Sequence, residues 1–238
     1  MSKQDFSARL QKKGIVLTSE QLEQFDRYYH LLVEWNEKMN LTGITEEDEV
    51  YNKHFYDSIS LAFYVPLQDM KKMADVGGGA GFPSIPLKIC FPHLQMTIID
   101  SLQKRMNFLS HVGTELGLTD LYPVHGRAEE VGQDKKYREQ FDIVSARAVA
   151  RLNLLAEFCL PLVKQNGLFA SMKGPDVTLE LNEAKRAIKL LGGKTRKVES
   201  FELPDEAGER NIILINKIET TPKTYPRRPG IPAKKPLL

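Results

Sequence analysis

Three glycines, Gly77, Gly79 and Gly81, lie in the stretch "MADVGGGAGFPSIPLKI", between a short apolar run and a helical pattern. Glycine reaches backbone conformations that other residues avoid and lets amide groups approach a ligand closely. The dinucleotide fingerprint needs glycine at its first, third and sixth positions, but the sixth position counted from Gly77 is Phe82. The loop is therefore either a structural turn or a cradle for a cofactor without a pyrophosphate. S-adenosylmethionine (SAM) is such a cofactor.

Two further segments favour an adenosine-containing cofactor. Asp100 ends the next β-like run, "MTIID". A carboxylate there can accept hydrogen bonds from two ribose hydroxyls, although it can also cap a helix. The segment "GRAEEV" follows the third run, where backbone groups near Ala128 and Glu129 would contact an adenine edge. Taken alone, that segment could equally be an ordinary turn between a strand and a helix.

The fourth β-like run, "FDIVSARAVARL", carries no motif typical of amino-group methylases, and Cys159 falls in an apolar helical pattern. Metal-ligand spacing is absent among the histidines and cysteines. Arg147, Arg151 and Lys173 remain, and such cations suit binding a polyanion and positioning a base. Arg151 is equally explained as a surface arginine. No general base is identified, and the catalytic group stays unknown, with Arg147 and Lys173 as positioning candidates.

The lack of a base fits alkylation of guanine N7, whose lone pair lies in the ring plane. That atom loses no proton when it gains a methyl group, so positioning can supply most of the rate. Positioning alone can contribute about 7–11 kcal/mol.

The remaining pattern predicts the elements that position these residues. Residues 1–64 read as helices, one of which begins with a capping box formed by Thr18 and Gln21. After Pro66, seven β-like runs alternate with helical stretches, and the last two runs follow each other directly. We therefore expect an α/β, Rossmann-like fold with a seven-stranded, mostly parallel sheet and an antiparallel edge. The expected divisions are a helical extension (1–65), a SAM-dependent methyltransferase domain (66–220) and a basic, proline-rich tail (221–238).

Composition and charge indicate the setting. The chain has 238 residues, 42% of them hydrophobic, two cysteines and a net charge of only +2. No apolar run is long enough to span a membrane, and the few cysteines fit a reducing cytoplasm. The tail has five basic residues and no acid, which indicates either an RNA partner or a solvated segment: Lys223, Arg227, Arg228, Lys234 and Lys235. Nothing requires a dimer, so we expect a monomer.

Several stretches together resemble the glucose-inhibited division protein B (RsmG) family of bacterial small-subunit rRNA methyltransferases. They are "WNEKMNLTGI", "HFYDSI", "DVGGGAGFPSIPLKI", "GRAEE", "SARAVA", "MKG" and "YPRRPGIP". The resemblance implies a SAM-dependent enzyme that methylates N7 of one guanine in 16S rRNA, in a hairpin loop near the decoding site. It places SAM at Gly77, Phe82, Ala128, Glu129 and Arg147. We expect the partner to be 16S rRNA or the small subunit, contacted by Arg151, Lys173, Arg227 and Arg228.

The N-terminal motif leaves two interpretations open. Trp35, Asn40, His54 and Asp57 form either a wall facing RNA or cofactor, or a buried polar network that docks the helical extension. Three other functions are weighed against the leading one: SAM-dependent methylation of a protein or small molecule, NAD-dependent oxidoreduction, and non-catalytic RNA binding. The basic tail disfavours the first and the glycine spacing disfavours the second. The intact loop, together with Asp100 and Arg147, disfavours the third.

Overall fold

The computed structural model describes residues 1–238. A seven-stranded sheet has the order β3-β2-β1-β4-β5-β7-β6. Its strands are β1 (Lys72–Val76), β2 (Gln95–Asp100), β3 (Leu121–His125), β4 (Phe141–Arg147), β5 (Val163–Lys173), β6 (Gly193–Glu202) and β7 (Glu209–Lys217). Only β7 runs antiparallel to its neighbours, since it turns back from β6 and inserts beside β5. The expected α/β fold with a mostly parallel sheet is confirmed.

Helices cover both faces of the sheet, so β1 and β2 are buried along nearly their whole length. These helices are α5 (Ser84–Cys90), α6 (Gln103–Glu115), α7 (Ala128–Val131), α8 (Leu152–Cys159) and α9 (Thr178–Leu190). One core cluster of 35 buried residues joins one face of the sheet to the N-terminal helices. The other, of 22 residues, lies beneath α8 and α9. Parallel strands direct their carboxyl ends to one edge, where the loops that follow β1, β2 and β4 meet.

The N-terminal region is helical, as predicted. It begins with α1 (Lys3–Lys12) and α2 (Ser19–Met39), and the capping box of Thr18 and Gln21 is present at the start of α2. The helix expected after Thr45 is a continuous helical run of changing geometry. Its parts are α3 (Glu47–Glu49), a π-helix (Val50–Tyr56), α4 (Asp57–Ile59) and a 3-10 turn (Ser60–Phe63), and a second 3-10 turn (Leu67–Asp69) precedes β1. π-helical turns are frequent at functional sites, and this one contains His54 and ends next to Asp57.

The C-terminal segment, residues 221–238, packs against the body of the protein and ends with the short helix α10 (Ile231–Lys234). Arg138 donates to the main-chain carbonyls of Thr221, Pro222 and Tyr225. Gln133 donates to the carbonyl of Pro226. A solvated tail was one of the two interpretations of its composition, and these contacts show a docked segment. None of the helices is both long and apolar enough to cross a membrane.

Candidate active site

The loop after β1 contains glycines that serve different purposes. Gly77, Gly79 and Gly81 all have positive φ angles, of 74°, 56° and 98°. A Cβ atom on Gly81 would lie 2.6 Å from Ile85 Cγ1 and 2.9 Å from the Tyr28 hydroxyl, so this glycine permits close packing. A Cβ atom on Gly79 would meet no atom closer than 3.9 Å. Close packing therefore does not require glycine at position 79, and the residues lining the cavity described below do not include Gly79.

Asp100 fixes this loop from the end of β2. Its Oδ2 atom accepts a hydrogen bond from the Gly79 amide at 3.1 Å and another from Arg105 Nη1 at 3.0 Å. Its Oδ1 atom accepts from the Leu102 amide at 3.0 Å. The side chain therefore ties the glycine loop to the start of α6, and it also borders the cavity described below.

Buried contacts hold the loop from beneath. Asp75 is fully buried and accepts hydrogen bonds from the hydroxyls of Ser84 and Ser145. Burial raises the pKa of the Asp75 carboxyl to about 6, although both hydroxyls oppose the shift. Tyr28, from α2, donates its hydroxyl hydrogen to the Ala80 carbonyl at 2.5 Å. The helical extension therefore shapes the glycine loop directly.

The first cavity lies at the carboxyl ends of β1, β2 and β4 and has a volume of about 410 Å³. Four of the predicted cofactor-binding residues line it: Gly77, Asp100, Ala128 and Glu129. The C-terminal segment closes one side through Gly230 and Ala233. The Gly230 amide donates to Glu129 Oε1 at 3.2 Å. The segment read from sequence as a tail is thus part of the cavity wall.

The residues of the first cavity fit SAM. The volume lies in the usual range for small-molecule sites, about 300–1,000 Å³. The nearly buried Asp100 carboxylate could accept from ribose hydroxyls, and the backbone beside Ala128 could meet an adenine edge. Leu154 and Phe158 add apolar surface. Arg105 also lines this cavity, where it pairs with Asp100.

A second cavity, of about 330 Å³, lies beside the first, and Ala148 lines both. Ala148 has a φ angle of 55°, a left-handed conformation that is uncommon for a residue with a side chain. The second cavity contains four cations and one acid: Lys53, Arg147, Lys173, Arg210 and Asp57. Arg147 and Lys173 were both predicted as positioning residues, and the structure brings them together here.

Arg147 lies between the N-terminal helical run and the glycine loop. Its Nη1 atom donates to Asp57 Oδ2 at 3.1 Å, and its guanidinium carbon lies 5.1 Å from the centre of the Phe82 ring. Phe82 in turn stacks on His54, with 4.5 Å between the ring centroids. Phe82 and Gly81, both predicted to bind cofactor, therefore contact the helical extension, and the residues lining the first cavity do not include them.

His54 is held as a neutral imidazole. Its Nε2 atom lies 2.7 Å from Thr42 Oγ1, and Arg147 Nη2 lies 3.4 Å from Nδ1. Burial, and then the positive charge of Arg147, lower the pKa of His54 from 6.5 to about 3. At neutral pH this ring is a weak base.

The rest of the N-terminal motif supports this arrangement. Asn36 Oδ1 accepts from the Thr42 amide, and Asn40 ends α2 with a φ angle of 49°. Trp35 packs against Phe108 and His111 of α6. These contacts match the interpretation as a docking network, while His54 and Asp57 also border the second cavity.

The predicted RNA-binding residues differ in their exposure. Lys173 is largely buried and contacts the Ala150 carbonyl and Glu180. Arg151 has a side chain that is 70% exposed and pairs with Glu183. Arg227 points inward and forms a bidentate ion pair with the buried Glu157. Arg228 is exposed. The four side chains therefore differ in how accessible they are to an RNA.

The cysteines are poorly placed for nucleophilic chemistry. Cys159 is fully buried. Burial raises the pKa of the Cys159 and Cys90 thiols above their ordinary value. Protonated thiols are weak nucleophiles, in line with the sequence interpretation of both residues as structural.

Sequence reasoning missed Arg210 and the wall formed by Gly230 and Ala233. Arg210 Nε lies 3.3 Å from Asp57 Oδ2, although the two residues are far apart along the chain. No local motif signals that contact. The "YPRRPGIP" stretch did mark the tail as special, but its charge drew attention to RNA instead of to the cavity.

Solved structures with similar folds share little sequence with this chain. A SAM-dependent O-methyltransferase from Thermotoga maritima aligns with a TM-score of 0.54 and 15% identity, over 80% of this chain and 72% of that one. TYW2 from M. jannaschii, solved in complex with AdoMet, aligns with a TM-score of 0.54 and 16% identity, over 70% of this chain and 76% of that one. At these identities the likeness establishes the fold.

Sequence comparison goes further. The "Ribosomal RNA small subunit methyltransferase G" of Brevibacillus brevis is 67% identical over 238 residues, the full length of both chains. The protein of the same name from Bacillus subtilis is 56% identical over 237 residues, covering 100% of this chain and 99% of that one. The profile of the GidB family, rRNA small subunit methyltransferase G, matches residues 21–213. The chain therefore belongs to the rRNA small subunit methyltransferase G family.

Proposed function

We propose that this chain transfers a methyl group from SAM to N7 of one guanine in 16S rRNA, in a hairpin loop near the decoding site. Membership of the family makes it an rRNA methyltransferase that uses SAM. The target atom and its location are the proposed part. The observation that carries the proposal is the meeting of two cavities at Ala148, one fitted to a nucleoside-like cofactor and the other lined by cations.

The choice of N7 rests on the acid–base character of the second cavity. A general base works best with a pKa near the operating pH. His54 has a pKa of about 3, and Asp57 pairs with two arginines. Guanine N7 needs no base, because it attacks with an in-plane lone pair and loses no proton. The arrangement therefore supports transfer to a ring nitrogen that is already unprotonated.

For the cofactor, we propose that Gly77, Asp100, Ala128 and Glu129 contact SAM directly in the first cavity. When bound, SAM would supply a methyl group carried on a positively charged sulfur. Gly79 is proposed to leave space at the loop. Gly81, Phe82 and Arg147 are also proposed to belong to the cofactor site, and their packing against the helical extension supports a role in holding the loop and the junction in place.

For the RNA, we propose that Arg151 and Arg228 contact phosphates and that Arg147 and Lys173 position the target nucleotide. Exposed cations supply most of the affinity for a phosphate backbone. Arg227 was also predicted to bind RNA. Its ion pair with Glu157 supports an indirect contribution, through the position of the C-terminal segment that carries Arg228.

We also propose the division into a helical extension (1–65), a methyltransferase domain (66–220) and a C-terminal segment (221–238) that closes the first cavity. A monomer is proposed because the large exposed apolar side chains, such as Val16, Tyr122 and Leu179, are single and distributed over different elements. Action on ribosomal RNA supports a cytoplasmic location.

Methyl transfer from labelled SAM tests the proposal. The substrates are 16S rRNA and small subunits that lack this modification, and the product nucleosides are separated and identified. A single 7-methylguanosine is the expected product. A different methylated nucleoside would contradict the N7 assignment, and transfer to several guanines would contradict the single target. Arg151→Ala provides a comparison, since loss of an exposed cation should weaken RNA binding without changing the product.

A further inference from the structure

The second cavity has the walls of a site for a flat polar ring. Five residues give it apolar surface: Ile44, Ala148, Met172, Phe201 and Ile212. Its charged residues come from the N-terminal helical run and from the ends of β4, β5 and β7. Its volume of about 330 Å³ is within the range of small-molecule sites. A single unstacked base could enter it, as enzymes that modify bases require.

Asp57 is the one acid in this cavity, and it is only 5% exposed. Its Oδ2 atom accepts from Arg147 Nη1 at 3.1 Å and from Arg210 Nε at 3.3 Å. Its Oδ1 atom receives no hydrogen bond from the protein and is not one of the buried unpaired polar atoms, so it is open to the cavity. The two arginines hold the carboxylate in one orientation and leave a strong acceptor for a ligand that brings its own donors.

We propose that the second cavity binds the target guanine base and that Asp57 recognises its N1–H and N2–H donors. This inference rests on the proposed transfer to guanine N7. Guanine presents two adjacent donors on that edge, and the two lone pairs of Asp57 Oδ1 are free to accept them. Adenine presents an unprotonated N1 there, which a carboxylate repels. Asp57 is therefore the specificity-determining residue of the site.

The same contact assists the transfer. The N7 lone pair forms the new bond to the methyl carbon, the methyl–sulfur bond breaks, and its electron pair stays on sulfur. No proton leaves, so the ring takes up the positive charge that sulfur loses. A carboxylate on the N1–H and N2–H edge interacts more strongly with the charged ring than with the neutral one. His54 stays neutral and adds no opposing charge.

The N7 atom lies on the opposite edge of guanine from N2. With N1 and N2 at Asp57, N7 can face the junction at Ala148, which both cavities share. Lys53, which pairs with the exposed Glu49, and Arg210, which also holds Asp57, then lie near the phosphates attached to the base. A site for phosphate alone is the competing explanation for so many cations.

Wild-type enzyme gives the first test, with small subunits reconstituted with guanine or hypoxanthine at the methylated position. Hypoxanthine keeps N1–H, O6 and N7 but lacks the N2 amino group. Loss of a hydrogen bond to a charged group should lower kcat/KM roughly tenfold to a hundredfold. Equal kcat/KM for both bases would overturn the proposal without any variant. Absence of 7-methylguanosine from the guanine substrate would instead refute the proposed function itself.

Asp57→Asn gives the second test. We expect its guanine activity to fall and its preference for guanine over hypoxanthine to drop to about one, while its affinity for SAM stays unchanged. A purely structural role would lower both activities in proportion and keep the preference, which would overturn the assignment. If the variant does not fold, the wild-type comparison decides. Inhibition of wild type by inorganic phosphate but not by guanosine would support a phosphate site and also contradict the proposal.

Asp205→Asn is the matched control. Asp205 is a half-exposed surface acid that pairs with Arg9, outside both cavities, and its φ angle of 58° is one that asparagine tolerates. The preference of this variant for guanine should equal that of the wild type.

Discussion

The two cavities at the carboxyl edge of the sheet are built in different ways. The first is formed mainly by main-chain turns, two acids (Asp100 and Glu129) and apolar side chains from consecutive strand–helix units. The second is formed by charged side chains from segments far apart in the sequence. A cofactor site of this fold can be specified locally, by glycines and an acid at strand ends. The substrate site depends on how an added helical region and an antiparallel hairpin meet the sheet.

Arg147 lines the second cavity and also contacts Phe82 in the glycine loop, so its loss should have the largest effect. In Arg147→Ala, Asp57 keeps only Arg210 as a partner, and the contact with Phe82 disappears. Misplacement of reacting groups by a small distance can cost about a hundredfold in rate. We expect methyl transfer to small subunits to fall at least that far, and the free energy of unfolding to fall by roughly 1–3 kcal/mol.

Single-turnover methyl transfer and denaturant unfolding measure the two effects of Arg147→Ala. Arg151→Ala is the control, because that side chain is exposed and its only ion pair is with Glu183. Its stability should change little. Wild-type activity in Arg147→Ala would refute the placement of Arg147 at the site.

Asp100→Ala should affect the first cavity alone. The substitution removes the acceptor for the Gly79 amide and the carboxylate proposed to bind ribose. Hydrogen bonds to a charged group contribute about 1.5–3 kcal/mol, so the Kd for SAM should rise tenfold or more. Calorimetric titration with SAM measures the change. Asp57→Asn is the partner variant from the second cavity, and its Kd for SAM should equal that of the wild type; the same loss in both variants would show that the cavities act as one site.

The sequence predicted the first cavity much better than the second. Gly77, Asp100, Ala128 and Glu129 follow consecutive strands, so a pattern of strand ends was enough to bring them together. The contact between Asp57 and Arg210 depends on the insertion of β7 beside β5 and on the docking of the N-terminal helical run. Neither the insertion of β7 nor the docking of the helical run produces a periodic sequence pattern at Asp57 or Arg210.

The C-terminal segment contributes to the first cavity, a role that its charge did not indicate. Its basic composition indicated either an RNA partner or a solvated segment. Three contacts connect it to the body of the protein and to the first cavity: Arg227 with Glu157, Gly230 with Glu129, and Ala233 at the first cavity. Sequence alone could not reveal that the buried acid of α8 is the partner of one of these cations.

Two single substitutions separate the roles of this segment. Arg227→Ala leaves Glu157, which is 1% exposed, without its ion pair. We expect SAM affinity to fall severalfold as the wall of the first cavity loosens, because a buried charge without a partner is costly. Arg228→Ala should leave SAM affinity unchanged. It should lower the slope of log K against log salt for RNA by about 0.7–0.9, the loss of one phosphate contact.

Titration with SAM and salt-dependent RNA binding measure these effects. The assignments would be reversed if Arg227→Ala changed only the salt slope and Arg228→Ala only the SAM affinity. Deletion of residues 223–238 should combine both losses.

His54 allows the most conditional effect to be predicted, since it is absent at neutral pH and develops only as the pH falls. The pKa of His54 in the folded protein, about 3, lies below its ordinary value of 6.5 because of burial and the charge of Arg147. Below pH 6.5, His54 binds a proton in the unfolded chain but not in the folded protein. The free energy of unfolding therefore falls as the pH drops from 6.5 toward 3, and His54 does not affect it above that range. At about 1.4 kcal/mol for each pH unit, the loss from this group by pH 4 is about 3 kcal/mol.

His54→Gln cannot titrate and should lack this component, so its free energy of unfolding should fall less than that of the wild type between pH 7 and pH 4. Parallel denaturant titrations at several pH values measure the difference. Identical pH dependence in the two proteins would mean that the pKa of His54 is the same in the folded and unfolded states, which would contradict the lowered pKa.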